Sequence, residues 1–150
     1  MTSRPRSRLL ITGSRTWDDW VTIIRELSAF AALNPILVSG HCRDGADELC
    51  EKVWANWGGD IERHPVTREE WAKYGKRAGF LRNQKMVDLG ADWCLAFIRD
   101  NSPGATMTAT IAEKAGIPTK RVPYLDGIRE LPPTPEFLSA SASEGIFPAV

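Results

Sequence analysis

Five short apolar segments, separated by stretches of helical periodicity, constrain this fold more than any other feature of the sequence. Strands that are covered on both faces are apolar along their length, and helices between them permit parallel connections. The alternation predicts an α/β fold, a Rossmann-like three-layer sandwich with a mostly parallel five-stranded sheet and helices on both faces. The predicted strands are residues 8–12 (RLLIT), 36–39 (ILVS), 61–66 (IERHPV), 93–98 (WCLAFI) and 119–122 (TKRV).

The predicted helices follow from apolar residues at helical spacing. Asp18 is the expected cap of the first helix, and residues 46–57 form the clearest amphipathic stretch, with Trp54 and Trp57 on its apolar face, in the core or at a dimer surface. Residues 67–79 are expected to be a loop or a short helix, and helix resumes over residues 80–89. A further helix begins near Met107 and stops at Gly116. 

A change in composition divides the chain. Residues 1–123 carry the alternating pattern and are expected to form one domain, as is usual for a chain of 150 residues. Residues 124–150 are rich in Pro, Ser and Ala, which supports neither helical nor strand periodicity for long. We expect these residues to form a C-terminal tail.

Charge and cysteine content exclude several classes of protein. Nineteen basic and nineteen acidic side chains cancel, so the broad positive surface of a nonspecific nucleic-acid binder is not expected. No signal peptide and no apolar run of about 20 residues is present, which predicts a cytoplasmic protein without a membrane span. The three cysteines form no C-x-x-C pair, and their spacing with histidine predicts neither disulfides nor a metal site. No cofactor is predicted.

Polar, glycine-containing turns follow three of the predicted strands: residues 13–15 (GSR), 40–47 (GHCRDGAD) and 101–106 (NSPGAT). Because the carboxyl ends of parallel strands meet at one edge of a sheet, these turns are expected to converge on a common crevice. Glycine allows a backbone to approach an anion, and hydroxyl and guanidinium groups can bind phosphate oxygens. Candidate phosphate contacts are the hydroxyls of Ser14, Ser102 and Thr106 and the guanidinium groups of Arg15, Arg43 and Arg82.

The turns and the segment between them together resemble the YspA-like branch of the SLOG superfamily. The resemblance spans roughly residues 8–122 and is carried by residues 12–15 (TGSR), 39–47 (SGHCRDGAD), 71–86 (WAKYGKRAGFLRNQKM), 102–106 (SPGAT) and 115–118 (AGIP). It implies a Rossmann-like fold and a nucleotide-type ligand. The superfamily also includes the LOG-type phosphoribohydrolases and the DNA-processing protein DprA, so the resemblance implies no single activity.

The resemblance extends the set of expected ligand-binding residues. Gly13, Ser14 and Arg15 match a turn shared with the DprA-like proteins, and Arg82, Asn83 and Met86 match a segment similar to the R-K-x-x-M motif of LOG enzymes. The full predicted set is Gly13, Ser14, Arg15, Gly40, Arg43, Gly45, Ala46, Arg82, Asn83, Ser102, Gly104 and Thr106. Trp71 and Tyr74 are expected to lie in a loop, where they could cover a base or pack against the protein.

The sequence departs from the LOG enzymes where those carry P-G-G-x-G-T-x-x-E. Ala105 replaces the usual threonine, Thr106 offers a hydroxyl one position later, and Thr108 occupies the place of the catalytic glutamate. Cleavage of an N-glycosidic bond is helped by a carboxylate near an oxocarbenium-like transition state. A replacement carboxylate could come from Asp44, Asp47 or Glu48, and the catalytic candidates are Asp47 and Arg82. An aspartate at the start of a helix, such as Asp47, also serves as a cap.

Three functions remain open at this point. The first is a sensor or binding module for an ADP-ribose-like ligand or a nucleoside monophosphate, with Arg82 on a phosphate. The second is a nucleoside 5′-monophosphate N-glycosidase that uses Asp47. The third is DprA-like binding of single-stranded DNA, which the balanced charge disfavours. Exposed apolar helix faces also predict self-association.

Overall fold

The computed structural model describes residues 6–125 and has the predicted architecture. Five strands form a single sheet in the order β3-β2-β1-β4-β5, and every neighbouring pair is parallel. The strands are β1 (Arg8–Gly13), β2 (Ile36–Ser39), β3 (Ile61–Arg63), β4 (Trp93–Ile98) and β5 (Thr119–Pro123). The helices are α1 (Trp20–Ser28), α2 (Ala46–Asn56), α3 (Arg68–Tyr74), α4 (Arg77–Asp88) and α5 (Pro103–Lys114), with a 3₁₀ turn at Ala31–Leu33.

The strand order reverses between β1 and β4. From β1 the chain builds outward through β2 to β3, and it then returns across the sheet to place β4 on the other side of β1. The connections that leave β1 and β4 therefore diverge and open a crevice at the carboxyl ends of these two strands. This switch point is where ligands bind in open α/β sheets.

Two apolar clusters cover the two faces of the sheet. Alternation along β1 sends Leu9 and Ile11 into one cluster and Leu10 into the other. Helices α1 and α2 pack together on the first face, and α4 and α5 pack together on the second. Trp54 and Trp57 belong to the first cluster, so these two side chains form part of the core.

The cap of α1 lies one residue later than the sequence suggested. Asp19 is the N-cap, and its Oδ1 accepts the backbone N–H of Thr22 at 3.2 Å. Asp18 is exposed and accepts a hydrogen bond from the Tyr124 hydroxyl at 2.8 Å. Adjacent aspartates offer the same chemistry, and only the backbone conformation at the helix start chooses between them.

Several element boundaries also differ from the sequence expectation. Residues 67–79 hold α3, which a reciprocal capping box between Thr67 and Glu70 starts, and α4 begins before Phe80. Strand β3 ends three residues early, just before the segment that contains Pro65, which cannot donate to a ladder. Helix α5 begins at Pro103, because the fixed φ of proline suits the first helical position.

The described residues end just past the predicted domain boundary. Tyr124 packs edge-on against Trp17, with ring centroids 5.3 Å apart, and Leu125 is exposed. Residues 126–150, which make up nearly all of the predicted tail, lie outside the described residues. Between residues 6 and 125, no helix has the length and apolar character needed to cross a membrane.

Candidate functional site

A cavity of about 660 Å³ lies at the switch point, and we call it the switch-point cavity. It is bounded by the turns after β1, β2 and β4 and by α3 and α4. Nine sequence-predicted residues line it: Gly13, Ser14, Arg15, Asp47, Trp71, Arg82, Asn83, Ser102 and Gly104. Six others are not part of its lining: Gly40, Arg43, Gly45, Ala46, Tyr74 and Thr106.

The turns after β1 and β2 pack directly against each other. Gly45 has φ +83°, and a Cβ there would lie 2.2 Å from the carbonyl oxygen of Ser14. A Cβ on Gly13 would lie 2.3 Å from the Cβ of Ala46, whose N–H donates to the Ser14 carbonyl at 3.1 Å. Gly45 and Ala46 therefore hold the β1 turn in place from behind the cavity wall.

The Ser14 hydroxyl joins the two central strands. It accepts the backbone N–H of Arg99 at 2.8 Å and donates to the carbonyl oxygen of the same residue at 3.2 Å. Ser14 is only 2% exposed, and its N–H donates to the Phe97 carbonyl at 2.9 Å. The hydroxyl thus fixes the spacing of the crevice between β1 and β4, and within residues 6–125 its hydrogen bonds are to backbone atoms.

Helix α5 directs an uncapped N-terminus at the cavity. Ser102 makes no side-chain cap, and no acceptor within residues 6–125 bonds the backbone N–H groups of Gly104 and Ala105. Both residues line the cavity, and in the described part of the chain nothing beyond the adjoining residues and the helix's own backbone lies within 4 Å of a Cβ built on Gly104. The first N–H groups of a helix carry partial positive charge and point away from it, which is the arrangement that binds anions.

The Arg82 guanidinium is a structural tie between α4 and the ends of β2 and β3. Its N–H groups donate to the carbonyl oxygens of Gly40 and His64, the latter at 3.2 Å, and to Asn83 Oδ1 at 2.7 Å. Its remaining nitrogen lies 3.6 Å from the Cys42 sulfur. A Cβ on Gly40 would meet the guanidinium carbon at 2.8 Å, so glycine is required for this packing. Arg82 therefore adds positive charge to the cavity wall, but its guanidinium N–H groups are largely occupied by hydrogen bonds to other residues of the chain.

Asp47 places a buried carboxyl group on the cavity wall. The residue is 5% exposed, and its Oδ2 accepts the backbone N–H of Cys42 at 3.2 Å, so it bonds the preceding turn instead of a helix N–H. Burial raises the pKa of Asp47, although the hydrogen bond from Cys42 and the charge of Arg82 oppose the change. A carboxyl with a raised pKa in a cleft is a candidate for proton transfer.

We expect Asp47→Asn to stabilise the protein near neutral pH. Because the pKa of Asp47 is higher in the folded state than its ordinary value, ionisation of this group opposes folding. The cost is absent well below pH 3.8, the ordinary pKa, and grows as the pH rises toward the folded pKa. Thermal melts from pH 3 to 8 should therefore show a gain for Asp47→Asn that increases with pH. The exposed Asp44→Asn is the control, and a gain that shrinks as pH rises would contradict the expectation.

Besides Arg82, three cationic residues among those described line the cavity: Arg15, Lys76 and Arg99. Arg99 was missed from the sequence, although it stands directly after β4, where switch-point residues occur. Its guanidinium donates to the Thr16 carbonyl at 2.6 Å and stacks on the Tyr124 ring at 4.0 Å. Arg15 and Lys76 are exposed.

Two aromatic side chains line the cavity, but only one of them was predicted. Trp71, on α3 and not in a loop, is 42% exposed, and Phe80 from α4 is 39% exposed. Tyr74, the second predicted aromatic, lies beside Lys73 outside the cavity. Helix α3 buries none of its residues, so it presents Trp71 to the opening without being fixed in the core.

Thr108, at the position of the LOG glutamate, is fully buried. Its hydroxyl donates to the Gly104 carbonyl at 2.8 Å within α5. Among the described residues that line the cavity, Asp47 is the one with a buried carboxyl group. No cluster of three potential His, Cys, Asp or Glu metal ligands occurs in the described part of the chain.

The all-parallel sheet and the cavity at its reversal point define the class of protein, a Rossmann-like α/β domain with a switch-point site. Within that class the chain belongs to the YspA, cpYpsA-related SLOG family, whose model matches residues 7–66. It is 43% identical over 118 residues to the Gene 61 protein of Mycobacterium phage D29. The aligned region covers 74% of this chain and 92% of that protein. No solved structure matches the chain. Membership of this family suggests a nucleotide-related function.

Proposed function

We propose that the switch-point cavity binds a nucleotide or a nucleotide-derived phosphate, with a phosphate group at the N-terminus of α5. This proposal rests on the backbone N–H groups of Gly104 and Ala105, two residues that line the cavity. Within residues 6–125, no acceptor bonds either N–H group. A phosphate oxygen at this point accepts both hydrogen bonds and interacts favourably with the helix dipole.

The charges around the opening support an anionic ligand. Arg15, Lys76 and Arg99 add cationic groups to the buried charge of Arg82, against the single exposed acid Asp100 and the buried Asp47. Bidentate and point-charge contacts of this kind are the usual partners of phosphate. Binding should weaken as ionic strength rises, because the exposed members of the set are screened by salt.

The aromatic side of the cavity supports a planar ring. Trp71 and Phe80 line it together with Met86, which is buried in the second apolar cluster. A base that lies against an exposed indole gains stacking energy while its polar edge remains accessible.

Trp71→Ala should weaken binding of a nucleoside monophosphate about 5-fold to 10-fold, the lower part of the range for loss of one base stack. The matched control is Tyr74→Ala, because Tyr74 is on the same short helix and is similarly exposed but does not line the cavity. Calorimetric titration of both variants measures the difference. Equal losses for the two variants would argue against stacking on Trp71.

The proposed function is tested by calorimetric titration with AMP, GMP, CMP and UMP, with the matching nucleosides, and with inorganic phosphate. We expect at least one monophosphate to bind, and the nucleoside that lacks the phosphate to bind at least about 10-fold more weakly. If the nucleosides bound as tightly as their monophosphates, phosphate binding by the N-terminus of α5 would be contradicted. Absence of binding by every monophosphate would contradict the proposed function.

A second candidate function, N-glycosidic hydrolysis of the same ligand, is favoured by Asp47. In this reaction the bond between C1′ and the base nitrogen breaks, the base leaves with the electron pair and is protonated, and water adds to C1′. The water loses a proton as it adds to C1′, and the departing base gains one. The buried carboxyl group of Asp47 would take part in this proton transfer. Chromatography of AMP, GMP, CMP and UMP incubations detects a released base. Release that Asp47→Asn abolishes while binding persists supports hydrolysis, and no release from any of them leaves a binding protein.

We also propose that the chain self-associates, because several large apolar side chains are exposed on the described surface. They are Trp20, Leu33, Trp71, Tyr74, Phe80, Leu81, Leu89 and Leu125. Sedimentation velocity should show a species larger than 16.7 kDa at micromolar concentration.

A further inference from the structure

The side-chain amide of Asn83 lines the switch-point cavity with half of its hydrogen-bonding capacity unused. The residue is only 8% exposed, and its Oδ1 accepts the Arg82 Nε–H group at 2.7 Å. Because a guanidinium can only donate, this bond fixes which way the amide points. No acceptor within residues 6–125 bonds the Nδ2 group, and this nitrogen is not closed off from the cavity. Asn83 therefore offers a buried, oriented N–H donor to whatever occupies the cavity.

Asn83 belongs to the same row of α4 as the apolar residues on the aromatic side of the cavity. Phe80 precedes it by three positions and Met86 follows it by three, and residues at this spacing are neighbours on a helix surface. All three line the cavity. A flat ring that lies along this row and against Trp71 has its edge within reach of the Asn83 amide. The amide is thus placed to contact a base more readily than a phosphate.

Asp47 adds a buried acceptor to the same wall. It is 5% exposed and lines the cavity, and within residues 6–125 its carboxyl group takes hydrogen bonds from Cys42 alone. An ionised carboxylate can accept about four, so most of this capacity is unused. A short series of contacts joins the two groups, because Arg82 bonds Asn83 and also lies 3.6 Å from the Cys42 sulfur. The wall therefore carries an amide donor and a carboxylate acceptor that are near neighbours.

The four bases differ in how well one edge satisfies such a pair. Guanine presents the O6 acceptor beside two donors, N1–H and the N2 amino group, so the amide can donate to O6 while the carboxylate accepts both N–H groups. Paired, charge-assisted bonds of this kind are among the strongest in proteins. Adenine and cytosine offer the carboxylate only an amino group, and the single N3–H donor of uracil lies between two carbonyl oxygens that repel it. Guanine is the base that uses both groups fully.

We infer that Asn83 and Asp47 are specificity-determining residues that select a guanine base, Asn83 by donating to O6 and Asp47 by accepting from N1–H and the N2 amino group. The inference rests on the proposed function, because it assumes that a base lies on the aromatic side of the switch-point cavity. It holds for a ligand that is only bound and equally for one that is hydrolysed.

The test is calorimetric titration of the full chain with GMP, AMP and IMP, which keeps O6 and N1–H but lacks the N2 amino group. We expect GMP to bind at least about 10-fold more tightly than AMP, with IMP between them. Asp47→Asn removes the charged acceptor, and Asn83→Asp replaces the donor while keeping an oxygen for the guanidinium. Each should bring GMP within about twofold of AMP. The matched controls are Asp44→Asn in the same turn and Gln84→Glu, an exposed amide that bonds Asp88 instead, and both should keep the preference.

The outcomes separate selection of the base from binding of a nucleotide. Equal affinity of the wild type for GMP and AMP, or binding of CMP or UMP alone, would overturn the role of the two residues and leave nucleotide binding intact. A preference for GMP that survives both substitutions would also overturn it. The comparison of GMP with IMP needs no variant, so it decides the contact with the N2 amino group even if a substitution impairs folding. Failure of every monophosphate to bind would contradict the proposed function itself.

Discussion

Gly104→Asp is expected to reduce nucleotide binding about 100-fold or more while the protein stays as stable as the wild type. The new carboxylate would stand in the first turn of α5, beside the N–H groups that receive the phosphate. Two unit charges about 4 Å apart repel by roughly 4 kcal/mol at an effective dielectric constant of about 20. Each 1.4 kcal/mol changes affinity about tenfold, so a 100-fold loss uses only part of that repulsion.

The stability expected for this variant follows from the same helix terminus. Within residues 6–125, nothing beyond the adjoining residues and the backbone of α5 lies within 4 Å of a Cβ on Gly104. The new side chain therefore has room there, and an aspartate in the first turn interacts favourably with the helix dipole. Gly104→Asn is the matched control, because it has nearly the same shape without the charge and should lose far less affinity. Thermal melts and calorimetric titrations of both variants measure the two effects. Wild-type affinity in Gly104→Asp would place the ligand elsewhere.

Gly45→Ala is expected to lower the free energy of unfolding by at least about 3 kcal/mol. The backbone of Gly45 has φ +83° and ψ −149°, a region that is open almost only to glycine. The added methyl group would also stand 2.2 Å from the Ser14 carbonyl oxygen and 2.4 Å from the Arg15 Cα, both backbone atoms that cannot rotate away. Helix α2 and the β1 turn would have to separate, which opens the wall of the switch-point cavity.

Gly58→Ala separates the two causes of this loss. Gly58 has φ +81°, close to that of Gly45, but among the described residues no atom beyond its chain neighbours lies within 4 Å of a Cβ at that position. It should therefore lose only about 1 kcal/mol, the cost of the backbone conformation. Urea unfolding of both variants gives the comparison. Similar losses in the two variants would show that the contact with the β1 turn does not matter.

The sequence predicted the architecture because strand burial and helical periodicity are local properties. Each apolar segment identified a strand, and the parallel α/β rule then placed the turns after β1, β2 and β4 at one edge. In the structure the turn residues Ser14 and Gly104 line one cavity, and Arg82, which the resemblance and not this rule singled out, lines it from α4. The pattern also predicted the apolar face of α2 but left Trp54 and Trp57 open between the core and a dimer surface, and the structure places both in the core.

The individual roles of side chains could not be predicted, because they depend on partners far apart in the chain. Arg82 was assigned to a phosphate, whereas it donates to carbonyl oxygens at the ends of β2 and β3. Ser14 was assigned the same role, and its hydroxyl bonds the backbone of Arg99, 85 positions away. The sequence also could not show that the N-terminus of α5 is uncapped. Serine usually caps a helix, but the Ser102 side chain makes no capping hydrogen bond here.

Nuclear magnetic resonance of the isotope-labelled protein, recorded while the nucleotide is added, shows directly whether a phosphate binds at the N-terminus of α5. We expect the backbone amide protons of Gly104 and Ala105 to show the largest downfield shifts, since both would donate to phosphate oxygens, and the matching nucleoside to leave them nearly unchanged. Saturable shifts elsewhere, with these two amides unmoved, would contradict the account.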